Sequence, residues 1–237
     1  MASRQEEKER RRKERMEAEQ AAASAHRRTR RLQSGLIALL VIGVVVGGVI
    51  ALTGGSSNGS GAHPKTGSTN SSAKIPPPHE KDLTKAAAAA GCVLLNPPIE
   101  GRSHVTSKVH YGTNPPTSGN HNPEPALDGI YDPGNTPAPE HFVHTLEHGR
   151  VEVQYKPGTP RNRISQLETL VSEPINGKPA YKVLLFQNNT NMPYAVAATA
   201  WGHIIGCKTF TDKSFDALRD FRLKWVDQGP EIIPPTN

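Results

Sequence analysis

From Gly35 to Leu52 the chain runs through eighteen consecutive apolar or glycine residues. A run of that length predicts a membrane-spanning helix. Gly43, Gly47 and Gly48 weaken a helix in water but are tolerated in lipid. Gly43 and Gly47 form a small-xxx-small pair that suits helix packing, although glycines at this spacing also occur on faces that only meet lipid. A cleaved signal peptide has a shorter apolar core behind a short basic stretch. Here more than thirty residues precede the run and no small-x-small cleavage site follows it, so the reading is a retained anchor. Up to Gln33 there are eleven Lys or Arg against six Glu, whereas the remainder has 17 basic against 16 acidic residues. The positive charge therefore flanks the apolar run. It predicts a cytoplasmic N-terminus and an extracytoplasmic bulk, with the arm near anionic lipid headgroups. A nucleic-acid partner is not expected, because a basic block beside a membrane helix already accounts for the charge.

Four zones follow: a basic cytoplasmic arm at 1–34, a transmembrane helix at 35–53, a flexible Gly/Ser/Pro linker at 54–78 and a single exported domain at 79–237. The last has roughly 160 residues, enough for one sizeable core. Its two cysteines, Cys92 and Cys207, are the only ones in the chain. Outside the membrane they are expected to form a disulfide, the alternative being two buried thiols. No Cys-x-x-Cys exists, which argues against thiol redox chemistry.

Local pattern predicts an α+β domain with a mixed sheet covered by helices. Asp82 to Ala90 is alanine-rich and should be helical, ending at Gly91. Val105–Tyr111, Arg150–Tyr155, Tyr181–Phe186 and Tyr194–Trp201 read as strands. Ile164, Leu167, Leu170 and Val171 share one helical face. Asp212 is placed to cap a last helix carrying Phe215, Leu218, Phe221, Leu223 and Trp225. From Gly112 to Glu140 the chain is rich in Pro, Gly and Asn and reads as loop, and a loop that long is often functional. Within it, Pro115–Pro116 is a site where a cis bond is tolerated. The order strand, helix, strand, strand, helix after Gly149 is compatible with a thioredoxin-like C-terminal half.

Six of the ten histidines lie between His104 and His148. Imidazole is the commonest protein metal ligand. On a helix the i, i+4 pair His144 and His148 would lie one turn apart on one face. On a strand the same pair would be about 13 Å apart, too far to share an ion. Metal binding therefore requires a helical turn there, which Gly149 could end. His110 and His121 flank the Pro-rich loop and complete the proposed ligand set His110, His121, His144 and His148, with His104, His141 and His203 as weaker candidates. Tyr111, Tyr131 and Glu147 are expected around the ligands, orienting them. Imidazoles alone suit Zn(II) or Cu(II), and a contribution from Met192 would tip the balance to copper. Nothing indicates a nucleotide or organic cofactor.

His110-Tyr111, Pro115-Pro116-Thr117-Ser118-Gly119, His121, Gly129 with Tyr131, His144-Thr145-Leu146-Glu147-His148-Gly149, Tyr155 and Ala200-Trp201-Gly202 together resemble the bacterial membrane-anchored "domain of unknown function 3105" proteins. Asn120 departs from the pattern, which would place Pro before the histidine. The resemblance implies an anchored extracytoplasmic bacterial domain and no particular activity.

Two other functions remain open at the level of sequence. The histidines and tyrosines could form a metal-free polar core of an envelope interaction module, its protein partner unspecified. Alternatively, His144-Thr145-Leu146-Glu147-His148 matches the H-x-x-E-H pattern of inverzincin proteases, with Glu147 as general base. That reading needs a long helix, whereas Gly149 and an alternating strand follow immediately. Ser118 sits in ordinary turn chemistry and makes no claim as a nucleophile.

Overall fold

The structure is a computed structural model and describes residues 62–65 and 72–235. The basic arm and the apolar run 35–52 lie outside the described residues. Among the described residues no helix is long and apolar enough to cross a membrane.

The first helix, α1 (Leu83–Ala90), begins where the Asp82 carboxylate accepts the Lys85 N–H and ends at Gly91 in the left-handed conformation. An N-cap acid and a C-terminal glycine satisfy the helix-end groups that have no partner within the helix. Strand β1 (Cys92–Leu95) follows directly. A long irregular stretch then holds only the two-residue strand β2 (Gly129–Ile130) before α2 (Pro139–Glu147). The remainder is β3 (Val151–Tyr155), α3 (Arg161–Ser172), β4 (Val183–Gln187), β5 (Val196–Ala200), β6 (His203–Cys207) and α4 (Ser214–Trp225).

The six strands form one open mixed sheet in the order β1-β6-β5-β3-β4-β2. The parallel β3–β4 pair is joined through α3, as parallel neighbours require a crossover. Strands β5 and β6 form an antiparallel hairpin whose turn is Trp201–Gly202. At the sheet edge β1 pairs antiparallel with β6, and there Cys92 faces Cys207 and is bridged to it.

Alternation along the strands divides the side chains between two faces. Val151, Val153 and Tyr155 of β3 join Val183, Leu185, Val196, Ala198 and Ile205 in the larger core, closed by Leu167, Leu170, Phe215, Leu218 and Phe221 from α3 and α4. The opposite face carries Leu184 and Phe186, on which Phe142 and Val143 of α2 pack. Phe142 stacks on Phe186 with ring centroids 5.0 Å apart, a burial whose truncation to alanine typically costs about 3–5 kcal/mol. The second face is therefore covered by one short helix and a great deal of irregular chain.

Several local expectations need correction. The 105–111 stretch forms no strand, and His104 makes only an isolated bridge with His121. Strands β1 and β6 are additional to the expected ones: β1 is a four-residue apolar run, and β6 begins at His203 and contains Gly206, so neither alternates. Asp212 does not cap α4; its carboxylate pairs with Arg163, while Ser214 Oγ accepts the Thr211 N–H. Leu223 is 59% exposed and lies off the apolar face of α4, which continues through Trp225. The Pro115-Pro116 segment does include a cis bond, the one that enters it at Asn114–Pro115.

Candidate metal centre

Helix α2 starts with Pro139 at its first turn, where a missing N–H does no harm. Glu140 in that turn accepts the Val109 N–H and so ties the preceding irregular chain to the helix. Two further backbone bonds, Asn122 N–H to the Glu140 carbonyl and Ala126 N–H to the His141 carbonyl, hold 122–126 against it. The helix stops at His148, and Gly149 follows at a φ of +77°. The pair His144 and His148 thus occupies the last turn, with ring centroids 4.3 Å apart.

Four donor residues converge here. His104, His121, His144 and Glu147 each offer a ligand atom, and these atoms all lie within 4.8 Å of one another. His121, His144 and Glu147 are buried, whereas His104 is exposed. The His104 ring lies 5.0 Å from that of His121 and 4.8 Å from that of His144, centroid to centroid.

Backbone carbonyls decide which imidazole nitrogens face the centre. His121 Nδ1 lies 2.8 Å from the Gly119 carbonyl oxygen, and His144 Nδ1 lies 2.6 Å from that of Asn122. A carbonyl only accepts, so both Nδ1 atoms carry the proton and donate. The Nε2 atoms of both rings are thereby turned inward, that of His121 without a hydrogen-bond partner and that of His144 towards His148. This is the arrangement by which proteins orient metal-ligating histidines.

The consequence is sharpest at His121. Its Nε2 is buried, makes no hydrogen bond, and lies 3.0 Å from Glu147 Oε2. An imidazole lone pair and a carboxylate oxygen at that distance repel unless a cation lies between or beside them. A proton on Nε2 is one such cation; a metal ion is another. In a tetrahedral site with bonds near 2.0–2.1 Å, neighbouring ligand atoms stand about 3.3 Å apart.

His148 Nε2 is 2.9 Å from His144 Nε2. With Nδ1 of His144 donating to Asn122, its Nε2 accepts from His148. Burial and the neighbouring positive groups push His148 down to about 2 and His144 to about 3, so both are neutral near pH 7 and competent as ligands.

Other candidates fall elsewhere. His110 is exposed and is not a member of the four-residue group. His141 hydrogen-bonds the Glu124 carbonyl, and His203 contacts Asn96 and stacks on Trp225. Tyr111 donates to the Asn120 carbonyl and closes over Gly119, and Tyr131 donates to Leu127. Both tyrosines brace the irregular chain that carries His121. Met192 is buried among Tyr194, Ala197 and Ile204, an apolar cluster. Glu147, expected beside the ligands, stands among them.

Two features escaped the sequence. Glu152, wholly buried on the central strand β3, accepts from Thr145 Oγ1, Gln154 Nε2 and Thr199 Oγ1 at 3.0–3.1 Å. Burial pushes its carboxyl well above the usual range despite those donors. Arg150, also buried, makes a bidentate pair with Asp128 and donates to the carbonyls of His148, Ile233 and Pro234. It clamps the C-terminal segment behind the end of α2. Only the alternation of β3 hinted at Glu152, and polar residues there read as solvent-facing.

A six-stranded α+β domain with a buried histidine–glutamate group on its second face is the class of protein that these observations define. Residues 104–232 match the family described as "Protein of unknown function (DUF3105)", and the chain belongs to that family. No curated protein and no solved structure matches the chain.

Proposed function

We propose that the domain binds a divalent transition-metal ion through His104, His121, His144 and Glu147, with His148 at the edge of the set. The observation that carries this reading is the buried, unbonded Nε2 of His121 facing the Glu147 carboxylate at 3.0 Å. Three imidazoles and a carboxylate, with both cysteines bridged, favour Zn(II) over the copper that a methionine ligand would have suggested. His144 has one lone pair at Nε2, so an ion takes it from His148. His148 then stands at the distance of a neighbouring ligand.

The test is elemental analysis of the full chain, purified without a His tag, exposed to Zn(II) and Cu(II) and desalted. Near-stoichiometric metal is expected in the wild type and is lost in His144→Ala/His148→Ala. Equal, negligible retention in two folded proteins would sink the reading. It would leave a protonated His121–Glu147 pair in a metal-free interaction module.

A protease role is disfavoured by the same geometry. The helix ends at Glu147, and that carboxylate points into the donor set rather than standing beside it as a base would.

We further propose that the domain is extracytoplasmic, anchored by 35–53 with the N-terminal arm in the cytoplasm near anionic lipid. The eighteen-residue apolar run, its basic flank and the Cys92–Cys207 bridge support this. The C-terminal half reads as thioredoxin-like: the order β4-β3-β5-β6, with β3–α3–β4 parallel and a hairpin followed by α4, supports it. Protease accessibility of the domain in spheroplasts checks the topology, and full protection would reverse it.

A further inference from the structure

The four donors are not equivalent. Three are buried and come from α2 and from the loop pinned against it. The fourth, His104, is exposed. Its chain is tied to His121 by two backbone bonds, Val105 N–H to the His121 carbonyl and His121 N–H to the Ser103 carbonyl. Beside it lies a shallow cleft of about 390 Å³, wide open to solvent and lined by His104, Val105, Thr106, Ser107 and Pro123. A metal that closes all four positions with buried protein ligands is structural, whereas one with a position reachable from solvent can exchange a ligand there.

We propose that the coordination position of His104 is exchangeable, and that the cleft admits a small carboxylate-bearing ligand to the metal. This rests on the metal reading above. A divalent ion beside one ionised glutamate leaves a net positive charge, and the cleft wall offers no acidic side chain to oppose an anion. Thr106 and Ser107 line the cleft, and hydroxyls of this kind can donate to the second carboxylate oxygen. The apolar Val105 and Pro123 accommodate a short carbon stem. Oxygen donors of this kind are ordinary fourth ligands for zinc. Exchange swaps one neutral imidazole for one carboxylate, so no bond within the protein chain breaks.

The experiment uses the full chain loaded with Co(II), whose visible absorption reports its ligands. Acetate is the probe and perchlorate at equal ionic strength the control. Acetate is expected to change the cobalt bands saturably while perchlorate does not. His104→Ala removes the exchanging ligand, so it should hold cobalt more weakly than the wild type, and the cobalt that it holds should bind acetate several-fold more tightly. Ser107→Trp, which fills the cleft without touching a ligand, should retain cobalt and weaken acetate several-fold. If cobalt is not retained by the wild type, the metal reading itself fails. If cobalt is retained but acetate acts no differently from perchlorate, in the wild type and in His104→Ala, the exchangeable position is overturned and the metal reading stands.

Discussion

At the scale of single residues the second face of the sheet is unusual for carrying a buried carboxyl at Glu152 as well as the imidazoles. Its folded-state pKa is raised well above the ordinary carboxyl value of 4.5 because burial disfavours the charged form, and the Thr199, Thr145 and Gln154 hydrogen bonds only partly offset this. A raised carboxyl binds its proton more tightly in the folded protein than in the unfolded chain. The stability it contributes is complete below pH 4.5 and is lost as pH rises towards the folded value. Glu152→Gln keeps the shape and removes the titration. The variant is therefore expected to equal or exceed the wild type in stability at pH 7 and to lose that advantage below about pH 4.5. Urea unfolding at the two pH values checks it. A variant much less stable at neutral pH would show that the ionised carboxylate is the form the fold requires.

At the scale of elements, the histidine–glutamate group depends on an irregular segment held as firmly as a helix. Gly119 shows how. Its φ is +128°, a region that residues with a Cβ rarely adopt, and an added Cβ would sit 2.9 Å from the Tyr111 ring. Its carbonyl is the group that orients His121. Gly119→Ala is expected to cost about 1–3 kcal/mol through backbone strain, and to weaken metal binding more than a distant substitution of equal destabilisation. Comparing it with Gly158→Ala, also at positive φ but in open space, separates the two effects. Equal metal retention in both would free Gly119 from any role in positioning. Pattern alone could not have found this. The i, i+4 spacing makes His144 and His148 neighbours on any helical turn, and Gly149 marks its end, so that turn was legible, although only His144 of the pair belongs to the four-residue group. His121 and His104 come together through backbone bonds between irregular segments, which leave no periodicity. His110 stands at the other end of the same Pro-rich loop and yet is exposed, because only the folding of that loop distinguishes the two. Strand β3 was legible from its alternation and β4 and β5 from apolar runs, whereas β1 has four residues and β6 starts at His203, contains Gly206 and is specified by pairing with β5 and β1.

At the scale of the whole molecule the histidine–glutamate centre lies entirely within the loop that the disulfide closes. Cys92 and Cys207 are 115 residues apart in sequence and are directly opposed across the β1–β6 pair. The larger core on the other face packs Cys207 at full burial. The bridge therefore acts on two levels: it fastens the edge strand, and it shortens the unfolded chain. In the chain-entropy model a loop of this size contributes up to about 4–5 kcal/mol, most of it by restricting the unfolded state and not by shaping the folded one. Cys92→Ala/Cys207→Ala is then expected to lower the urea midpoint strongly while leaving metal retention per folded molecule unchanged. Isolated reduction of the wild type should lower the midpoint in the same direction. Equilibrium unfolding of the oxidised, reduced and variant proteins, with metal content measured in native conditions, decides between the two levels. A variant that folds with unaltered stability would remove the entropic role. One that keeps its fold but loses metal would show that the bridge, from the far edge of the sheet, shapes the second face itself.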